Sequence, residues 1–338
     1  MTRPIATALV GCGNSGRHYH LPHLTGPAYD LRAVAVGTPS EAAEVGAAVG
    51  PDTDVVVGWE SVVARPDVEL VVIATPHHLH HPIAKAALEH GKHALVEKPM
   101  TMTVAEADDL IATAEAAGLV LMPHQQRHFE ADFQALKALL EEGAIGTPWR
   151  IQISRTHQGR YRTSTPEKPH VGTEVLAWAH DAACGGGVGR VIGPHPVDQL
   201  LTLAASPVTA VDGRYHLDPE VGVEDWLGID VDFASGLTGH IEIFRRTGIP
   251  PLRFAVYGST GTIIATDATT LEIEQAGTRR TVTGLEPPGV LGAEIYADLA
   301  AAIREGKPPR VTAANGRAAV AVIERAYAAA ARHRAGAA

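Results

Sequence analysis

The chain has 338 residues, which exceeds the size at which a single hydrophobic core usually stops growing, so its length predicts two domains. Apolar residues make up 45% and charged residues 20%, and no apolar run approaches the roughly 20 residues that span a bilayer. The formal charge of -10 disfavours nucleic acid as a partner. Only two cysteines and no signal-peptide pattern predict a reducing, cytoplasmic location.

Short apolar runs alternate with amphipathic helical stretches over the first third of the chain. The runs are almost continuously apolar, as expected of parallel strands that helices cover on both faces. We therefore predict a doubly wound α/β Rossmann domain over residues 1–123. Its predicted strands are 5–10, 31–36, 53–57, 70–74, 94–96 and 120–122.

The pattern changes after Pro123, where one strong helix over 130–142 is followed by longer, alternating strands. We predict a second, α+β domain over 124–338, with a large open and mostly antiparallel sheet. An uncovered apolar sheet face predicts a homodimer or homotetramer. The predicted strands are 149–155, 226–233, 237–244, 252–257, 262–266 and 271–274, and a helix over 313–332 ends the chain.

A glycine pattern, GxGxxG, lies directly between the first predicted strand and a helix. Gly11 permits the tight turn, Gly13 lets a pyrophosphate approach the backbone, and Gly16 allows the helix to pack closely on the strand. Free N–H groups at the start of the helix would hold the anion. The sequence therefore predicts dinucleotide binding by this loop, which Asn14 and Ser15 complete.

The end of the second strand bears on the choice of dinucleotide. An acid about 20 residues after the glycine loop would bond the ribose hydroxyls of NAD. The strand here ends in Val-Gly-Thr-Pro-Ser over 36–40, with no carboxylate and with the hydroxyls of Thr38 and Ser40. The sequence therefore favours NADP(H) somewhat over NAD(H), although no arginine lies there.

Two more segments follow predicted parallel strands, where ligands of such folds bind. Thr75, Pro76, His77 and His80 follow the fourth strand, and the tripeptide Glu97-Lys98-Pro99 follows the fifth. The four histidines between 77 and 81 could suggest a metal. A dense run at the start of a helix seldom supplies three or four converging ligands, so we predict no metal.

The run GKHALVEKP over 91–99, together with Thr75-Pro76 and the glycine loop, resembles the glucose-fructose oxidoreductase, inositol dehydrogenase and MocA (Gfo/Idh/MocA) family. The segments 123–129, 142–146 and 185–198 are also similar to family motifs, so the resemblance covers essentially the whole chain. It implies a Rossmann domain followed by an open-sheet domain. It also implies oxidation or reduction of sugars, cyclitols and related alcohols or ketones with NAD(P).

The resemblance places Lys98 and His195 at the reacting carbon, with Asp198 as a hydroxyl ligand. Hydride transfer from a carbinol needs a base at the hydroxyl and a cation to stabilise the alkoxide, and His195 and Lys98 suit these roles. The acid expected to orient His195 falls on Val191. Either Asp198 or a residue distant in sequence replaces it, the enzyme runs mainly as a reductase with Lys98 as acid, or dehydrogenase activity has been lost.

The leading hypothesis is an NAD(P)-dependent oxidoreductase acting on a secondary alcohol or ketone of a sugar or cyclitol. The alternatives are an NAD-dependent glycosidase of the same family and a non-catalytic NAD(P)-binding regulatory protein. The predicted substrate-binding residues are Lys98, Arg127, Tyr161, Trp178, His195 and Asp198. The predicted cofactor-binding residues are Gly11, Gly13, Asn14, Ser15, Gly16, Thr38, Ser40, Thr75, Pro76, His77, His80, Glu97 and Lys98.

Overall fold

The computed structural model describes residues 3–156, 173–245, 247, 251–287 and 292–336. The chain divides into two compact units. Unit 1 comprises Met1–Gln126 and Val290–Val320, and unit 2 comprises Arg127–Gly289 and Ala321–Ala338. The first crossing between the units lies three residues after the predicted boundary.

Unit 1 is built on a six-stranded sheet in the order β3-β2-β1-β4-β5-β6, and every neighbouring pair is parallel. This is the strand order of a dinucleotide-binding doubly wound fold. The central strands are buried along their full length, which explains their nearly continuous apolar sequences. The strands are β1 Ile5–Val10, β2 Tyr29–Val36, β3 Asp54–Val57, β4 Leu70–Ile73, β5 His93–Glu97 and β6 Leu121–His124.

The helices of unit 1 lie between these strands and bury one apolar side each. On α4, for example, Ile83, Ala84, Ala87 and Leu88 are buried in the core. The α-helices are α1 Leu21–Leu24, α2 Pro39–Val49, α3 Glu60–Val63, α4 His80–Glu89 and α5 Val104–Ala117. A π-helical turn, Gly16–His20, precedes α1, and short 3-10 helices cover His77–Leu79 and Gln126–Phe129.

Unit 2 contains an eight-stranded sheet in the order β14-β13-β12-β11-β7-β10-β9-β8. Only the β7 and β10 pair is parallel, so the sheet is mostly antiparallel and the predicted fold class is confirmed. The strands are β7 Pro148–Thr156, β8 Val208–Leu217, β9 Glu224–Phe233, β10 Thr238–Phe244, β11 Phe254–Gly258, β12 Gly261–Ala265, β13 Leu271–Gln275 and β14 Thr278–Val282.

The helices that follow Arg127 are α6 Ala131–Glu141, α7 Val188–Val191, α8 Pro194–Ala204, α9 Ala293–Glu305 and α10 Ala313–Gly336, with 3-10 helices at Thr173–His180 and Ala182–Cys184. Among the described helices, none combines the length and apolar character that a membrane span requires.

The segment 290–320 differs from the sequence prediction, which assigned it to the second domain. Its helix α9 buries Ile295, Tyr296 and Leu299 in unit 1. Arg304 on the same helix donates a hydrogen bond of 2.8 Å to Glu69. These contacts join residues more than 200 positions apart, which sequence periodicity does not report.

Candidate functional site

The glycine loop begins where β1 ends, at the carboxyl edge of the parallel sheet. Gly11 has a φ of 89°, and a Cβ added there would meet the carbonyl oxygen of Ala74 at 2.5 Å. A Cβ on Gly16 would overlap the carbonyl oxygen of Gly11, whereas one on Gly13 would have nothing within 4 Å. The first and third glycines therefore permit tight packing, and the second leaves the backbone open to a large anion. This cradle fits the pyrophosphate of a dinucleotide.

The loop after β4 lies beside the glycine loop. The N–H of Ala74 donates to the carbonyl of Val10 at 2.8 Å, so the strand pairing continues to the edge. The next residue, Thr75, has a buried hydroxyl that makes no hydrogen bond within the described part of the chain. Buried hydroxyls are normally paired, so this group suits a bound ligand. Pro76 and the buried His77 follow it.

The end of β2 holds a carboxylate that the sequence analysis missed. Glu41 lies in the first turn of α2, and its Oε2 accepts the N–H groups of Gly37 and Thr38, both at 3.0 Å. The Thr38 hydroxyl in turn accepts the N–H of Glu41 at 3.2 Å, which completes a capping box. Residues 36–40 contain no carboxylate, as the sequence analysis assumed, but Glu41 of the next helix reaches back to the strand end, which was not foreseen. The signal was the Thr-x-x-Glu spacing.

A basic side chain also lies in this part of unit 1. Arg17, directly after the glycine loop, donates from Nε to the carbonyl of Cys12 at 2.9 Å. Its Nη1 donates to Glu44 on α2 at 2.5 Å. The hydrogen bond to Glu44 raises the pKa of Arg17. The guanidinium therefore joins the glycine loop to α2 as a paired cation.

His80 connects the two loops that follow β4 and β5. Its side chain is fully buried, with Nδ1 at 2.7 Å from the Pro99 carbonyl and Nε2 at 3.0 Å from the Thr75 carbonyl. Carbonyl oxygens only accept, so a neutral imidazole can donate to only one of them. Since both ring nitrogens face the backbone, His80 joins the loops after β4 and β5 rather than presenting a polar atom to solvent.

Glu97 ends β5 at the centre of a buried cluster. Its Oε1 accepts hydrogen bonds from His20 at 3.2 Å and from His124 at 3.0 Å, while its Oε2 accepts the N–H of Lys98 at 3.0 Å. The hydroxyl of Tyr296 donates to the other nitrogen of His20 at 2.8 Å. Glu97 thereby fixes the backbone that carries Lys98. The Lys98–Pro99 peptide bond is cis.

The charge of this cluster follows from its burial and its partners. Burial, followed by the neighbouring His124, lowers the pKa of His20 to about 4. Burial opposes ionisation of Glu97, but His124, His20 and Lys98 together hold its pKa well below the usual range. Near neutral pH the cluster therefore contains a carboxylate and a neutral His20.

Three side chains of this cluster, His20, Glu97 and His124, form the group of potential metal ligands found among the described residues. One ligand atom each from His20, Glu97 and His124 lies within 4.8 Å of the others. The hydrogen bonds to Glu97 account for this convergence, because both histidines point a nitrogen at one carboxylate oxygen. The cluster needs no ion to explain its geometry.

In unit 2, His195 and Asp198 lie one turn apart on α8, and both are buried. Asp198 accepts a hydrogen bond of 3.0 Å from Nδ1 of His128. An Asp–His pair is thus present, but its histidine comes from the segment before α6. Val191, at the end of α7, supplies no carboxylate. The sequence analysis missed the role of His128.

Three other predicted substrate ligands fall in or near unit 2. Arg127 forms an ion pair with Glu130, which is buried. Trp178 is half-buried in a 3-10 helix, and its carbonyl accepts the N–H of Asp181 at 3.1 Å. Tyr161 lies outside the described residues. Of the predicted cofactor ligands, Asn14 and Ser15 are half-buried in the glycine loop, and Ser40 is exposed.

Comparison with known proteins matches both parts of the chain. Residues 5–125 match the oxidoreductase family with an NAD-binding Rossmann fold, GFO_IDH_MocA, and residues 133–264 match the GFO/IDH/MocA C-terminal domain. A 1,5-anhydro-D-fructose reductase from Ensifer adhaerens is 30% identical over 68% of this chain and 68% of that protein. The scyllo-inositol 2-dehydrogenase (NADP(+)) IolW from Bacillus subtilis is 30% identical over 60% of this chain and 52% of that protein.

The chain therefore spans between 52% and 68% of the length of these curated relatives. A solved levoglucosan dehydrogenase, in complex with NADH and levoglucosan, superimposes with a TM-score of 0.81 at 25% identity. That match covers 97% of this chain and 98% of the other.

Proposed function

The chain belongs to the GFO/IDH/MocA family of NAD(P)-binding oxidoreductases, and we propose that it transfers hydride between NAD(P) and a secondary alcohol or ketone of a sugar or cyclitol. One observation carries the proposal. The open backbone at Gly13 follows the carboxyl end of β1, and the Glu97-Lys98-Pro99 segment lies at the carboxyl end of β5. Both strands belong to the same parallel sheet, with β4 between them, so the two segments lie at one edge of that sheet. Ligands of doubly wound folds bind at this edge.

A bound nicotinamide supplies the hydride donor or acceptor. The protein must then move the hydroxyl proton and stabilise the charge that develops on oxygen. We propose Lys98 as the cation and proton donor, held in place through the bond from its N–H to Glu97. For His195 we propose the role of base, as the family resemblance implies.

The remaining substrate contacts are proposed from the same resemblance. Arg127 and Asp198 would bind substrate hydroxyls, and Trp178 would provide an apolar wall. Tyr161 is a further predicted substrate ligand. Asp198 is already paired with His128, so a hydroxyl bound there would share the carboxylate with an imidazole. The buried His80 is proposed to position the cofactor loop.

The decisive experiment is hydride transfer by purified full-length chain across a panel of polyols, ketoses and aldoses. Lys98→Ala is expected to reduce kcat by about 100-fold or more, because a group that moves a proton in the transition state contributes on that scale. Binding of the nicotinamide nucleotide should change little. Lys137→Ala on α6 removes a half-buried surface lysine that pairs with Glu141, and it serves as the control.

Full turnover by Lys98→Ala would remove Lys98 from the reaction. Release of sugar from a glycoside without net change in nicotinamide absorbance would instead assign the glycosidase activity. Nucleotide binding without turnover of any substrate in the panel would favour a regulatory protein.

We also propose a homo-oligomer in the cytoplasm. Trp149 on β7 is 53% exposed and lies beside Tyr257 on β11, an aromatic contact that a second copy would cover. Cys12 and Cys184 are free thiols, which suits a reducing compartment. Light scattering at micromolar concentration should give a dimer or tetramer, and a monomer would contradict the assembly.

A further inference from the structure

The carboxylate of Glu41 accepts hydrogen bonds from the donors at the end of β2. The adenosine ribose of a dinucleotide lies at this position in this fold. The Oε2 of Glu41 accepts three hydrogen bonds: from the N–H of Gly37 at 3.0 Å, from the N–H of Thr38 at 3.0 Å and from the Thr38 hydroxyl at 3.2 Å. Glu41 and both of these partners are exposed, so the carboxylate lies at the surface of the sheet edge.

A 2'-phosphate binds through donors of this kind. Backbone N–H groups at the start of a helix and short hydroxyl side chains are its usual ligands at such a strand end. Here two N–H groups and one hydroxyl already donate to Glu41. Of the two hydroxyls on which the NADP(H) prediction rested, only that of Ser40 makes no hydrogen bond to any described residue.

The charges near Glu41 also disfavour a 2'-phosphate. Glu44 lies one turn beyond Glu41 on α2, and it pairs with Arg17 at 2.5 Å. The guanidinium also donates to the Cys12 carbonyl. Two carboxylates thus face one guanidinium that is already paired. A phosphate carrying nearly two negative charges would be repelled by this surface.

We propose that Glu41 selects NAD(H) over NADP(H) in this chain. Its Oε2 consumes the donors that a 2'-phosphate would need. Its Oε1 makes no hydrogen bond to the described residues, so it can accept from the two hydroxyls of an unphosphorylated ribose. The inference rests on the proposed dinucleotide binding, and it reverses the preference predicted from the sequence.

Unit 1 contains a matched control for the helix-capping effect of Glu41. At the start of α5, the Thr103 hydroxyl accepts the N–H of Glu106 at 3.2 Å. The Glu106 carboxylate accepts the N–H groups of Met102 at 2.9 Å and Thr103 at 3.2 Å. This box follows Pro99 and the segment after β5 rather than β2. Its carboxylate should therefore affect stability but not the choice of nucleotide.

The test titrates NADH and NADPH into the full-length wild type, Glu41→Gln and Glu106→Gln, with nucleotide fluorescence as the readout. Wild type should bind NADH roughly tenfold or more tightly than NADPH, which is about 1.4 kcal/mol. Glu41→Gln should reduce that ratio at least threefold by improving NADPH binding, and Glu106→Gln should leave it unchanged. High salt should also narrow the wild-type ratio, because screening weakens the repulsion.

Equal or tighter NADPH binding by wild type would overturn the proposal, as would an unchanged ratio in Glu41→Gln. The wild-type ratio decides the question alone if Glu41→Gln does not fold. Failure of folded wild type to bind either nucleotide would instead contradict the proposed function, so the two failures are distinguishable.

Discussion

Glu97 in unit 1 and Glu130 in unit 2 are both buried, and different chemistry stabilises the two carboxylates. Glu97 in unit 1 is 4% exposed and accepts from His20, His124 and the Lys98 N–H. Glu130 in unit 2 is 1% exposed. The charged partners of Glu130 are arginines.

The arginine cluster around Glu130 is extensive. Arg253 donates to Glu130 at 2.5 Å, Arg155 lies 3.7 Å from the same oxygen, and Arg127 pairs with the other oxygen. Gln199 donates to the carboxylate at 3.2 Å. Burial opposes ionisation, but the three arginines keep the pKa of Glu130 below its usual range.

The two clusters differ in whether the partners of the glutamate stay charged as the pH changes. Burial, followed by the neighbouring Arg253, lowers the pKa of Arg155 to about 9, so the arginines of the Glu130 cluster keep their protons at neutral and acid pH. Burial lowers the pKa of His20 to about 4, well below that of an exposed histidine, so this partner of Glu97 is protonated far more readily in the unfolded chain. The Glu97 cluster therefore has a partner whose protonation on unfolding depends on pH between about 4 and 6.5, whereas the arginine partners of Glu130 stay charged over that range.

The largest expected effect comes from removing the charge of Glu130. Glu130→Gln should destabilise the chain by about 3 to 5 kcal/mol, because it leaves buried arginines without their main counter-charge. Urea unfolding followed by circular dichroism measures the loss. Glu141→Gln on α6 removes an exposed carboxylate and should change stability by less than about 0.5 kcal/mol.

A loss below about 1 kcal/mol for Glu130→Gln would break the comparison. It would show that Asp132, which also pairs with Arg253, is enough to neutralise the cluster.

The fold could be predicted from the sequence where the local apolar pattern reflects how the strand packs. The β1 and β4 sequences are apolar throughout because helices cover both faces, and the predicted strands match the observed ones closely. Strands β8 and β14 were missed. Only one of the ten residues of β8 is buried, and the first four residues of β14 are exposed, so neither sequence shows a clear apolar face. The return of α9 to unit 1 is a long-range contact that periodicity does not encode.

The same distinction holds at the site. The three glycines of the loop lie within six consecutive residues, so their spacing in the sequence was enough to predict the role of each. The Glu97 cluster joins residues from four separate segments, with Tyr296 lying 276 positions from His20. Each residue alone reads as an ordinary polar side chain. Glu41 is an intermediate case, because its spacing from Thr38 is local but its effect depends on where β2 ends.

A smaller effect, and a sharper test of the comparison, is the response of the His20 cluster to acid. The unfolded His20 takes up a proton near pH 6.5, whereas the folded side chain does so only near pH 4. Between these values the unfolded state binds more protons, so stability falls as pH decreases from about 6.5 to about 4. The loss attributable to His20 should be on the order of 3 kcal/mol at most.

Other unit 1 histidines contribute with the same sign, because burial also lowers the pKa values of His23, His80 and His93. The contribution of His20 is therefore isolated with His20→Asn, whose stability should fall less steeply over this range than that of wild type. Unfolding midpoints in urea, measured at half-unit steps of pH, give the two slopes. Parallel slopes would mean that His20 does not titrate in the folded chain as its burial requires. The Glu130 cluster should add a slope of the same sign only at the acid end of this interval, because the lowered pKa of Glu130 keeps the folded carboxylate ionised where the unfolded one takes up a proton.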